Sequence, residues 1–303
     1  MFSSFWQRLD YLFPEPRLYA RRLSPSILAT YFLLLTVIFS LTGWILRPNG
    51  LIGFDWVNFF GVPRAPVFYP PWTVAVVRLL SWPSLIGITI ASFITSVLLR
   101  SVHPLSGAAA VACMPLIWTL FLGQLEGIAL FGVLGIPWLV PLALIKPQIT
   151  VFAFLAKRQY ILVLALFLLL SIVLWGLWPL SSLAIETYNQ GGRYPQNIGV
   201  GWWGVPLALA ALWISRGDID LLMLAGCFLL PHLIPYNLLP VTPAVARLSP
   251  RQAWIAVGLS YLPLAANWVG PWGWWLGWIF HAWLWVQLLR KAYPERLNAI
   301  FRW

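Results

Sequence analysis

The sequence predicts an all-α, polytopic transmembrane bundle of about ten helices, and three observations carry the helical membrane reading. Apolar residues make up 61% of the chain and charged residues only 9%, with a mean hydropathy of +0.82, whereas soluble domains carry roughly a quarter charged residues. Apolar runs at 27–45, 161–178 and 253–266 match or approach the length that crosses a hydrocarbon core about 30 Å thick at about 1.5 Å per residue. In lipid such runs must be helical, because the backbone has to satisfy its own hydrogen bonds. Finally, with a cytoplasmic N-terminus, about 15 of the 19 Lys and Arg fall on the cytoplasmic side and only Arg47, Arg64 and Arg193 outside, a positive-inside bias.

In chain order, residues 1–26 form an amphipathic cytoplasmic segment in which Arg8, Arg17, Arg21 and Arg22 alternate with Phe, Trp and Tyr. No small-residue cleavage site follows the first apolar run, so the first helix is read as retained. Helices are expected at 27–46, 71–99, 105–122, 125–144, 160–178, 200–215, 219–232, 236–247, 252–267 and 271–290. The piece at 149–156 is too short to span and is assigned to the membrane interface. The crossings are then even in number, both termini are cytoplasmic, and residues 1–303 form one transmembrane domain of a plasma or bacterial inner membrane. Two outer loops, 47–70 and 179–199, mix aromatic, polar, Gly and Pro residues and are long enough to fold over a site.

The 21 Trp residues concentrate at predicted helix ends, as at Trp202, Trp203, Trp268, Trp272, Trp274 and Trp275. Interfacial anchoring accounts for them, with a sugar-stacking platform as the other reading. Internal prolines, among them Pro83, Pro137, Pro141, Pro206, Pro235, Pro240 and Pro243, each remove a backbone donor and kink helices. Cys113 and Cys227 lie in apolar segments and read as small buried hydrophobes. The net charge of +11 is scattered in ones and twos beside helix ends, which argues against nucleic acid as a partner. No convincing internal repeat is present, which weakens a secondary transporter built from inverted halves.

Acidic residues are few, eight in all. Asp10, Glu15, Asp218, Asp220 and Glu295 fall on the cytoplasmic side as ordinary charge partners. Asp55, Glu126 and Glu186 map to the outer face, where an ionisable group costly in hydrocarbon is a functional candidate. Asp55 can serve as a general base if apolar rings lift its pKa, or as a helix cap or ion-pair partner of Arg64. Glu126 equally fits a first-turn residue favoured by the helix dipole, and Glu186 a solvated loop charge. Arg78 sits about two turns into the second helix, where phosphate binding and snorkelling are both open. His232 and His281 stand apart from any acidic or Cys cluster at ligand spacing, so no metal is expected. No nucleotide-binding loop is present.

Several stretches together resemble the polyprenol-phosphate-dependent glycosyltransferases of family 87, membrane enzymes of the GT-C class that include mannosyltransferases. Asp55 precedes Phe68-Tyr69-Pro70-Pro71-Trp72, like that family's outer-loop acid followed by Tyr-Pro-Pro. Gly123-Gln124, then Lys146-Pro147, then Lys157-Arg158 are similar to its Gly-Gln, Lys-Pro and following basic residues in order and spacing. A weaker likeness covers Pro231 to Pro240, where Tyr236 agrees but Leu230 and Pro235 stand where the family tends to have Ser and His. The resemblance covers roughly 50–245 of the chain, which is shorter than is usual for the family.

The resemblance implies a sugar moved from a polyprenyl-phosphate donor to an acceptor hydroxyl on the outer face, with inversion and without a cofactor. Asp55 would be the base, and Tyr69, Arg64, Arg78, Gln124, Glu126, Lys146, Arg193 and Tyr236 would bind substrate. Arg64, Arg78 or Arg193 would neutralise the leaving phosphate. The partners called for are a lipid-linked sugar donor and membrane lipids. An outer site without a soluble nucleotide-binding domain also points to a lipid-linked donor. Two other classes stay open: a non-catalytic subunit scaffolding a complex, since fold does not fix function, and a transporter, which needs more ionisable residues at mid-membrane.

Overall fold

The computed structural model describes residues 24–60, 69–180 and 195–296, and within them every regular element is a helix. Helix α1 (Pro25–Ile45) starts with Ser24 as cap and Pro25 in its first turn, the arrangement that frees no useful donor. A π-helical turn (Trp56–Phe60) follows in the loop. Next come α2 (Pro71–Arg78), α3 (Trp82–Arg100), α4 (Pro104–Val111), α5 (Met114–Leu122), α6 (Glu126–Leu134), α7 (Val140–Ala143) and α8 (Pro147–Thr150), the last running into a 3-10 stretch (Val151–Ala156). The chain continues through α9 (Arg158–Trp175), α10 (Val205–Ser215), α11 (Ile219–Gly226), α12 (Pro250–Ser260), α13 (Ala266–Val269) and α14 (Gly277–Ala292).

Four helical stretches are long and apolar enough to cross a membrane: Pro25–Ile45, Trp82–Arg100, Pro104–Leu122 and Arg158–Trp175. The ten full-length helices expected from the sequence do not appear as such among the described residues, and prolines are the main reason. The expected 71–99 helix is two, separated at 79–81, with Ser81 capping the second ahead of Pro83. The expected 236–247 helix is two 3-10 turns, Pro235–Leu238 and Thr242–Arg247, each with a proline in its first turn. The expected 271–290 helix begins with a 3-10 stretch, Pro271–Leu276.

The expected crossing at 125–144 is instead a hairpin. Helix α6 has nine residues, about 13 Å of rise, far short of a hydrocarbon core. The chain turns through Pro137 and comes back along α7. The two arms touch at Gly132, where a Cβ would stand 1.9 Å from the Ala143 nitrogen. Trp72 Nε1 of α2 donates to the Pro141 carbonyl at 2.8 Å, and Thr73 Oγ1 to that of Ile145 at 3.2 Å, pinning the returning arm. Lys146 is thereby returned to the end where Glu126 begins, not to the opposite side as the sequence reading had it. The segment 149–156, too short to span, packs inside the fold. Phe152, Ala153, Phe154 and Ala156 are buried, and Phe152 packs where a side chain at Gly226 of α11 would otherwise stand.

Small residues let the central helices approach. At Gly87 of α3 a Cβ would meet Ser40 and the Thr36 carbonyl of α1, and at Gly127 of α6 it would meet Thr89 of α3, the close packing typical of helices in lipid. Outward, α1 and α9 expose Leu33, Leu34, Val37, Leu166, Leu169 and Val173. An apolar surface of that extent suits hydrocarbon rather than water.

Candidate functional site

The site lies at the Trp82 end of α3 and is assembled from four stretches. Gly123 ends α5 in the left-handed region at φ 76°, the conformation glycine adopts most cheaply. Its missing Cβ also leaves room for the Trp82 ring and Trp56. The loop after α1 is fastened there by the Gly53 amide, which donates to the Phe121 carbonyl at 2.7 Å. This bond carries Asp55 to Gln124, and the hairpin carries Lys146 back to Glu126.

Gln124 is the hub. Its Nε2 donates to Asp55 Oδ2 and to the Tyr236 hydroxyl oxygen at 3.2 Å, while its Oε1 accepts from Lys146 Nζ at 2.8 Å. That is the one amide orientation that matches donor to carboxylate and acceptor to ammonium; the reverse would oppose both charges. Lys146 also pairs with Glu126 Oε1, which in turn accepts from Asn237 Nδ2 at 2.6 Å. The Lys146 ammonium stands 4.7 Å from the Tyr236 ring centre and 6.0 Å from that of Tyr69, within or at the edge of cation–π range. Tyr69 in turn packs edge-on against Phe60.

Burial grades across this cluster. Lys146, Glu126, Gln124 and Tyr236 are buried, and Asp55 is half-buried. Partial burial raises the Asp55 carboxyl above its ordinary value, opposed by the Lys146 charge and the Gln124 hydrogen bond and assisted by Glu126. His232 is lowered to about 4 by burial and by the Lys146 charge, which sets it near the cluster and neutral at physiological pH. No group of three or more His, Cys, Asp or Glu comes together among the described residues.

Six of the residues picked from the sequence thus converge: Asp55, Tyr69, Gln124, Glu126, Lys146 and Tyr236. Arg78 does not join them in any described contact. It is exposed at the last turn of α2 rather than deep in a longer helix, because that helix ends at Leu79. Arg64, Glu186 and Arg193 lie outside the described residues, as does the ion pair weighed for Asp55. Asn237 was not picked, and its signal was present: an amide in the otherwise apolar run from 233 to 241.

Asp218 and Asp220, expected as ordinary charge partners, do pair with basic residues, but in the interior. Asp220 accepts from Arg100 Nε at 3.0 Å and from Arg247 Nη1 at 2.9 Å, and Asp218 accepts from Arg247 Nη2 at 2.6 Å. Asp218, Asp220 and Arg100 are all buried. This four-charge network sits at the Arg100 end of α3, the far end from the Asp55 cluster. The helix has 19 residues, so the two poles are separated by about 27 Å, close to the thickness of a bilayer core. Both cysteines are buried and free. Compared with known proteins, the chain matches no family model, no curated protein and no solved structure.

Proposed function

We propose that the chain is a multi-pass membrane glycosyltransferase of the GT-C kind, moving a sugar from a polyprenyl-phosphate donor to an acceptor hydroxyl at the outer face, with both termini cytoplasmic. The observation that carries this reading is the convergence of Asp55, Gln124 and Lys146, three residues up to 91 positions apart, into one hydrogen-bonded line. A half-buried carboxylate with an elevated pKa is suited to take a proton from a hydroxyl. A buried ammonium one amide away is suited to the charge that develops on a leaving phosphate. The pole bearing Asp55 is about a bilayer core away from the pole where Arg100 and Arg247 gather, and the positive-inside bias puts the latter in the cytoplasm.

The chemistry is balanced by these groups. The acceptor oxygen forms a bond to the anomeric carbon as the carbon–oxygen bond to phosphate breaks. The electron pair leaves on the phosphate oxygen, turning a phosphodiester monoanion into a monoester dianion, and the acceptor proton passes to Asp55. The test compares by mass spectrometry the glycolipids and glycoproteins of cells lacking the protein with cells complemented by wild type or by Asp55→Asn. The expected result is a product lost on deletion and restored by wild type but not by well-expressed Asp55→Asn. An unchanged profile, or full rescue by the variant, rejects the transferase and favours a non-catalytic membrane subunit.

A further inference from the structure

We propose that Lys146 is the phosphate ligand of the site: its ammonium takes an oxygen of a lipid-linked phosphate monoester or diester, a role not filled by Arg78. The inference rests on the transferase reading and deepens it by assigning the cation. An ammonium has three N–H donors, and two acceptors engage it here, Gln124 Oε1 and Glu126 Oε1. The remaining coordination is to the faces of Tyr236 and Tyr69, which attract a cation without accepting a conventional hydrogen bond. A phosphate oxygen therefore finds a donor without first breaking the hydrogen bonds already made.

The surroundings hold this lysine in place. Glu126 Oε1 is itself anchored by Asn237, and Thr150 Oγ1 donates to the Lys146 carbonyl at 3.2 Å. The residue is buried at 5% exposure, so water competes poorly for its charge. The half-buried members of the cluster are Asp55 and Tyr69, which mark the side from which a ligand enters. Glu126 leaves its second oxygen, Oε2, buried and without a hydrogen-bond partner among the described residues. A phosphate bearing an ionisable hydroxyl, or a sugar hydroxyl beside it, supplies the missing donor.

The experiment measures binding of undecaprenyl phosphate, undecaprenol and inorganic phosphate to the purified full-length protein in nanodiscs, for wild type, Lys146→Gln, Lys146→Arg and Arg251→Gln. Wild type and Arg251→Gln, which removes an exposed cation at the far pole, are expected to bind the lipid phosphate alike and undecaprenol weakly. Lys146→Gln should weaken lipid-phosphate binding about 10- to 100-fold, and Lys146→Arg should restore most of it. Inorganic phosphate competing at similar concentration identifies a free-anion site; failure to compete identifies the lipid as the source. If wild type binds lipid phosphate and monodisperse Lys146→Gln binds it equally, Lys146 is not the ligand while the transferase reading stands. If wild type distinguishes neither lipid phosphate nor free phosphate from undecaprenol, the assignment is overturned together with the donor class.

Discussion

Arg100 and Asp220, 120 residues apart, form a buried ion pair with Nη2 to Oδ1 at 2.9 Å and exposures of 1% and 2%. Arg247 shares the same carboxylate and also holds Asp218. Burying charge is tolerated here because each guanidinium meets a carboxylate in several hydrogen bonds. The pair joins the end of α3 to the start of α11, and so ties the two halves of the described chain at the pole opposite Asp55.

Removing one member should therefore be far worse than a surface change. Asp220→Asn leaves buried guanidinium charge short of its partner and is expected to cost about 3–5 kcal/mol. Thermal unfolding in detergent checks this, and lipid-phosphate binding per folded molecule should be unchanged because the site is about 27 Å away.

Asp55→Asn should lower transfer about 100- to 10,000-fold, the range for loss of a general base, with little change in thermal stability. The pH dependence follows from the direction of its shift. Asp55 acts as a base only when ionised, and its folded pKa lies above the ordinary carboxylate value. Activity should therefore fall with acidification already above about pH 4. The same shift means that keeping Asp55 ionised costs stability: its contribution favours folding below the unfolded pKa and is lost as pH rises through the folded one. A log plot of kcat/KM against pH with no acidic limb above that value would contradict the assignment of Asp55.

Gly132→Val should displace the hairpin. Its Cβ would overlap the Ala143 backbone, which cannot yield as a flexible side-chain tip can. The expected cost is about 1–3 kcal/mol. Lys146, carried at the end of the returning arm, should lose lipid-phosphate binding more than Asp220→Asn does, a contrast that separates a local hairpin effect from general loss of stability.

Sidedness is open to direct chemical test. Cys113 and Cys227 are fully buried and should resist maleimide until the protein is denatured. On that background, Asn49→Cys is expected to react with an impermeant reagent in intact cells, and Arg251→Cys only after permeabilisation, both positions being exposed. The reverse pattern would invert the proposed topology.

The sequence alone was enough to read helices throughout, a membrane-like apolar content and the short candidate motifs, because composition and residue order survive any folding. Asp55 and Glu126 could be picked because acidic residues in so apolar a chain are rare and costly to bury, and Gln124, Lys146 and Tyr236 because the short motifs around them resemble those of a known family. The ion network was missed since Asp218 and Asp220 stand beside Arg216 and resemble a solvated charge cluster; their partners Arg100 and Arg247 are distant in sequence. The sidedness of Lys146 was misread for a related reason. Hydropathy sums over a window and registers 125–144 as one apolar length, whereas the turn through Pro137 and the Gly132 contact fold that length back on itself. Which residues meet was decided by tertiary packing, since a hydrogen bond such as Lys146 to Gln124 depends on where α6 and α7 return the chain, and no local propensity encodes that distance.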